Sequence, residues 1–168
     1  MFIRLAAPAD ASAIARIHVE TWQAAYRGLV PQALLDGLNV AHRRERWHGI
    51  LTKKESTTFV ASLPSGIIGF GSLMPSRDQD AARQSVAEIA ALYVSPAHWR
   101  QGAGQALCAA LLTLARRDGF AAVTLWVLKA NTPARDFYVR VGFTLEGAEK
   151  IQNFDGHDLI EVRYRQTL

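Results

Sequence analysis

The hydrophobic period of this chain changes near residue 57, and that change restricts the fold more than any other feature. Before it, Ala11, Ile14, Ile17, His18, Thr21, Trp22 and Ala25 recur at steps of three and four, the spacing of one helix face. Pro8 suits a first helical turn, Asp10 suits the positive end of the dipole, and Gly28 ends the pattern. Pro31 restarts helical character with Leu34, Leu35 and Leu38 on one side, and another helical stretch follows around 43–51. After the change, 57–62 and 67–73 read as strands joined by the turn Pro64-Ser65-Gly66, and 86–94 reads as a third, stopped by Ser95-Pro96. The helical period returns from Gly102 to about Asp118, where Ala103, Ala106, Leu107, Ala110, Leu111 and Leu114 form a stripe closed by Gly119. The run 123–127, rich in β-branched and aromatic residues, is a strand. Asn131 and Pro133 open a short helix that reaches Val141, with Gly142 just beyond. Strands near 143–145 and 159–164 close the chain, with a hairpin signal at Asp155-Gly156. With a short strand at Phe2–Leu5, the expected order is βααβββαβαββ, a mixed α/β (α+β) fold.

No linker, repeat or low-complexity segment interrupts the 168 residues, so one domain over 1–168 is expected. A single cysteine, Cys108, excludes an internal disulfide and a cysteine metal cluster. The longest apolar runs are broken well before the ~18 residues of a membrane span, and the apolar start is too short for a secretion signal. A cytoplasmic protein with no membrane partner is the expectation. Nineteen Lys+Arg against fifteen Asp+Glu give +4, but no run of five basic residues occurs, which argues against nucleic acid as the partner.

The segment most informative about chemistry is Val94-Ser95-Pro96-Ala97-His98-Trp99-Arg100-Gln101-Gly102-Ala103-Gly104-Gln105, where a strand ends and two glycines open an amphipathic helix. Free N–H groups and the positive dipole at a helix start favour a phosphate, and alternate glycines remove the Cβ atoms that would hold it away. Taken alone, Gly-x-Gly serves a tight loop equally well. A dinucleotide fingerprint fails because Leu107 stands where its third glycine belongs, and a Walker loop fails for want of Gly-Lys-Ser/Thr.

In this order of elements, the junction resembles motif A of the GCN5-related N-acetyltransferases, usually written Gln/Arg-x-x-Gly-x-Gly/Ala. Its backbone N–H groups hold the pyrophosphate of acetyl-CoA. Trp99 stands where Gln or Arg is usual, a departure that affects that side chain's contact and not the backbone cradle. Leu92-Tyr93-Val94-Ser95-Pro96 is similar to the end of the motif A strand, which in the family bulges and pairs with pantetheine. The segment 131–143 matches the motif B pattern Asn-x-x-Ala-x-x-Phe-Tyr-x-x-x-Gly-Phe at Asn131, Ala134, Phe137, Tyr138, Gly142 and Phe143. The stretch 21–31 is similar to the first-helix region of many small bacterial members. The resemblance implies a central mixed sheet of about seven strands, acetyl-CoA as cofactor, and direct acetyl transfer to an amine of a small molecule or peptide. A homodimer is the common assembly among such relatives.

By the same resemblance, the cofactor contacts are Leu92, Tyr93 and Val94 on the strand, then Trp99, Arg100, Gln101, Gly102, Ala103, Gly104 and Gln105 at the junction. Asn131, Ala134, Arg135, Phe137 and Tyr138 complete them. Tyr138 matches the family's general acid, though alone it reads equally as a packing tyrosine. Glu88 is the candidate base, on a strand where alternation puts it on one face with Ala90, Leu92 and Val94 until a bulge resets the count. The oxyanion donor is expected to be a backbone N–H at a bulge near Leu92-Tyr93. Trp22 and Tyr26, four apart, either line the acceptor channel or belong to the core. Cys108 reads as a small buried side chain, His18 as a satisfied core histidine, and His42, His48, His98 and His157 show no metal spacing. The alternative to an enzyme is an acyl-CoA-binding sensor, which keeps the cradle and needs no acid or acceptor channel.

Overall fold

A computed structural model describes residues 1–82, 85–154 and 156–168. Its strands are β1 (Phe2–Leu5), β2 (Thr57–Leu63), β3 (Gly66–Pro75), β4 (Val86–Val94), β5 (Ala122–Leu128), β6 (Thr144–Phe154) and β7 (His157–Thr167). Its helices are α1 (Ala11–Ala25), α2 (Gln32–Asp36), α3 (Val40–Lys53), α4 (Ala103–Arg117) and α5 (Thr132–Arg140). The strands form one seven-stranded sheet in the order β1-β2-β3-β4-β5-β7-β6. Every neighbouring pair is antiparallel except β4–β5, where α4 makes the crossover that parallel pairing requires.

The two faces of the sheet carry different helices. Leu111, Leu112, Leu114 and Ala115 of α4 pack with Ala87, Ile89, Val123 and Leu125, Tyr138 of α5 joins them, and Leu107 packs with Ala61 and Ile68. On the other face, Ile14 and Ile17 of α1 and Trp47 and Leu51 of α3 cover Val60, Phe70 and Ala91. Close approach of α4 is possible because β3 carries glycine beneath it. A Cβ at Gly71 would stand 2.8 Å from Leu111 Cδ1 and 3.0 Å from Leu92 Cδ1.

The observed order differs from the expected βααβββαβαββ in having three helices before β2, since the stretch after Pro31 is a helical element of its own. The Pro8 segment is a 3-10 turn, and α1 proper begins at Ala11. β6 runs from Thr144 to Phe154, far beyond the expected 143–145. A register shift between Leu145 and Glu149, with Gly147 at φ +87°, breaks its period-two pattern and hid the strand's length. Of the expected hairpin turn, Asp155 lies outside the described residues, while Gly156 has φ +83°. Among the described residues, no helix is long and apolar enough to cross a membrane.

Replacing Gly71 by Val sets two effects against each other. Better strand propensity is worth at most ~1 kcal/mol, whereas crowding Leu111 and Leu92 costs about 1–3 kcal/mol. Net destabilisation in urea unfolding is expected, and a variant as stable as the parent would contradict this packing.

Candidate active site

β4 and β5 stay paired only at Val86↔Ala122, Ala87↔Val123 and Glu88↔Thr124, and then part. The cause lies on the other edge of β4. Leu73 pairs with Ile89 and Ser72 with Ala91, so Ala90 is an extra residue that raises local twist. The bulge thus sits at Ala90, two residues before the expected Leu92-Tyr93. It also exchanges the faces earlier than simple alternation suggests. Ala87 and Ile89, then Leu92 and Val94, pack toward α4, whereas Glu88, Ala91 and Tyr93 border a cavity on the α1/α3 side. Glu88 therefore does not share a face with Leu92 and Val94.

On the α4 side, the helix start is built as an open cradle. Gly102 caps α4 at φ +86°, no side chain caps the first turn, and a Cβ at Gly102 would meet nothing within 4 Å. Arg100 also has positive φ, +59°, so the backbone turns left-handed on both sides of Gln101. The first-turn amides of Ala103, Gly104 and Gln105 point out of the helix without intrahelical acceptors. Gly104 lets α5 come close, since a Cβ there would lie 3.4 Å from the Phe137 ring. Gln101 and Gln105 are exposed beside the cradle, and Arg100 is exposed without an ion-pair partner among the described residues. Trp99 turns back, donating its indole N–H to the Val94 carbonyl at 2.6 Å, a carbonyl that also accepts from Thr21 Oγ1 at 3.0 Å. Asn131 Oδ1 accepts the Ala134 amide at 3.3 Å and so caps α5. Arg135 is held at 3.1 Å from the Tyr164 hydroxyl and at 3.0 Å from the Lys129 carbonyl.

Tyr138 is buried where α5 meets the parting strands, among Phe137, Phe143 and Tyr164. Burial first, then the neighbouring Tyr93 and Cys108, push its phenol well above the ordinary range, so the hydroxyl stays protonated. Cys108 is buried, and that burial raises its thiol to about 11.

Across the fork lies a cavity of about 660 Å³. Trp22 and Tyr26 both line it, edge to face at 5.0 Å, and Tyr26 also packs against the cluster of Val30, Leu35 and Leu128. His18 stacks on Tyr93 with ring centroids 4.8 Å apart, and its Nδ1 accepts the Trp47 indole N–H at 3.1 Å. The proton is therefore on Nε2, which is buried and has no partner among the described residues. The ring is thus only half satisfied. Burial, then Arg43 and Arg46, lower its pKa to about 3.

Glu88 is almost fully buried, and Arg77 engages both of its oxygens: Nη2 bonds Oε1, while the backbone N–H and Nε each reach Oε2 at 3.2 Å. The segment bearing Arg77 is itself anchored. Asp78 accepts from Trp126 Nε1 at 3.0 Å, and the buried Arg163 bonds Asp78, Asp80 and Glu146 at 3.2, 2.7 and 2.6 Å. Sequence reading missed Arg43, Arg46, Arg77 and Trp126 as cavity residues. Only for the first two was there a signal: steps of three and four put Arg43 and Arg46 on the same α3 stripe as Trp47 and Ile50.

The sequence pattern of the Acetyltransferase (GNAT) family matches residues 14–143. The chain is 31% identical over 137 residues to the uncharacterized N-acetyltransferase YuaI of Bacillus subtilis, covering 81% of this chain and 76% of that protein. Among solved structures, it is similar to a GCN5-related N-acetyltransferase from Rhodopseudomonas palustris, with TM-score 0.79, 21% identity, and 99% and 95% of the two chains covered. It is also similar to YncA of Salmonella typhimurium, solved with its cofactor acetyl-CoA, with TM-score 0.73, 22% identity, and 99% and 93% covered.

A histidine lowered from 6.5 to about 3 in the folded state adds stability that is fully present above about pH 6.5. That stability is lost as pH falls toward 3, because the unfolded chain takes up the proton first. The stability gap between the parent and His18→Gln should shrink by up to ~1.4 kcal/mol per pH unit between pH 6 and 4. Denaturant unfolding at a series of pH values measures it, and a constant gap would contradict a neutral buried His18.

Proposed function

Because the chain belongs to the Acetyltransferase (GNAT) family, we propose that it uses acetyl-CoA to acetylate, directly, a primary amine of a small molecule or peptide seated in the α1/α3 cavity. The observation that carries this reading is the parting of β4 from β5 between an open helix N-terminus on one face and an aromatic-walled cavity on the other. The residues present fit the cofactor. The first-turn amides of Ala103, Gly104 and Gln105 have no acceptor within the helix, a Cβ at Gly102 would meet nothing within 4 Å, and Arg100 adds exposed positive charge. The Val94 carbonyl already has two donors, which leaves Leu92 and Tyr93 as the backbone partners at the fork. When bound, acetyl-CoA supplies the acetyl group as an activated thioester.

The protein's own part is position and proton traffic. Tyr138, kept protonated by burial, holds an O–H available to a departing sulfur. Glu88 presents its remaining lone pairs to the cavity side and takes up the proton of an incoming ammonium through water, with Arg77 fixing the carboxylate's orientation. Backbone N–H groups beyond the Ala90 bulge are the donors for a developing oxyanion. Asn131 acts as helix cap and Arg135 as a brace of the loop before α5, so both shape the cofactor side indirectly.

Tyr138→Phe is expected to lower thiol release from acetyl-CoA by ~10²-fold with CoA affinity retained. An unchanged rate would remove Tyr138 from that role. Gly102→Val, which forces a β-branched residue into φ +86°, should weaken CoA binding in calorimetry by at least roughly tenfold. Glu88→Gln should change the pH–rate profile between pH 6 and 9, and a profile parallel to the parent's would leave Glu88 only as the anchor of Arg77. A chain that binds CoA yet releases no thiol with any amine would be a sensor instead of an enzyme.

A further inference from the structure

Each carboxylate lining the cavity already has its own cation. Glu88 is held by Arg77, Glu161 pairs with Lys150 at 3.3 Å, and Glu55 lies 3.9 Å from Lys53. Two cavity cations remain, Arg43 and Arg46 of α3, and neither has a carboxylate in reach among the described residues. Arg43 is half-buried, whereas Arg46 is exposed. One helical turn apart on the cavity wall, they lie close enough to bear electrostatically on the buried His18. Arg43 has its guanidinium 5.9 Å from the centre of the Trp22 ring. Burial, reinforced by Arg46, draws its pKa below the ordinary arginine value. A half-buried guanidinium with a second, exposed like charge one turn away favours an anion that joins the two.

We infer that the α3 wall of the cavity is an anion subsite, in which Arg43 and Arg46 hold a carboxylate or phosphonate belonging to the acceptor. The acceptor is then a small amine that carries its own anionic group, as α-amino acids and aminophosphonates do, and not a polyamine or aminoglycoside. Guanidinium forks match the planar or tetrahedral oxygens of such groups better than any other side chain. The amine end lies toward Glu88 and Ala91 at the fork, because both walls belong to the same cavity. A volume of about 660 Å³ is in the range of small-molecule sites, roughly 300–1,000 Å³. A polycation would instead meet the two unpaired guanidiniums with no free carboxylate to receive it.

This inference rests on the transferase reading for the amine half alone, so binding and turnover are measured separately. The CoA-loaded protein is titrated calorimetrically, and assayed for thiol release with acetyl-CoA, using L-amino acids, their α-amides, aminoalkylphosphonates and spermidine. At least one anionic amine should bind and should exceed its own neutral counterpart at least tenfold in kcat/KM. The acid-to-amide ratio should fall at least tenfold in Arg43→Gln and in Arg46→Gln. Arg44→Gln, on the same helix but outside this cavity, removes the same charge and should keep the parent ratio. Amino acids and aminophosphonates, run as separate arms, identify which anion the wall takes. Preference for amides or spermidine, or a ratio unchanged in both variants, would overturn the inference, as would the absence of binding by every anionic amine. Anionic amines that bind through Arg43 and Arg46 but release no thiol would uphold the subsite and refute the transferase reading.

Discussion

A single extra residue, Ala90, organises this molecule. Its insertion into β4 shifts the register against β3 and adds twist, and β5 cannot follow beyond Thr124. An unbroken sheet would separate the α4 face from the α1/α3 face completely. With the strands parted, the helix start at Gly102 lies on the α4 side of the fork and the cavity beside Trp22 on the α1/α3 side. The bulge also decides which side chains look where, since it puts Glu88, Ala91 and Tyr93 on the cavity side and returns Leu92 and Val94 to the α4 core.

The charges around the gap are arranged in two tiers. Arg163, buried in β7, holds Asp78 and Asp80 and so fastens the segment after β3 across the sheet. That segment presents Arg77 to Glu88. Removing the buried Arg163 would free Asp78 and Asp80 and so release the segment that orients Glu88, which makes a residue remote from the proposed cofactor cradle a support of the candidate base. Among the described residues the α3 wall has no such internal pairing, and the proposed anion subsite rests on this asymmetry.

Much of this was legible in the residues. Helical and strand periods placed most of the elements, and the Gly102-x-Gly104 junction with the 131–143 segment carried the resemblance to the family the chain belongs to. Three features were not legible. The length of β6 was masked by the irregularity around Gly147, which interrupts its alternation. The face of Glu88 depended on a bulge whose position no local propensity marks, because Ala90 is an ordinary strand residue by sequence. The role of Arg77 depended on a loop held in place by Arg163, a residue 86 positions away in the chain.

Sequence alone therefore determined what is local or repeats along one element: where most helices and strands form, and where two glycines open an amphipathic helix. Tertiary structure alone decided what depends on strands aligning with one another. It fixed the register at Ala90, the pairing of Arg77 with Glu88, and the meeting of Arg43, Arg46 and His18 on one cavity wall. The reason is physical. A side-chain period of two means that a one-residue shift between strands reverses every face beyond it. Such a shift belongs to the pairing of two segments and is written in neither by itself.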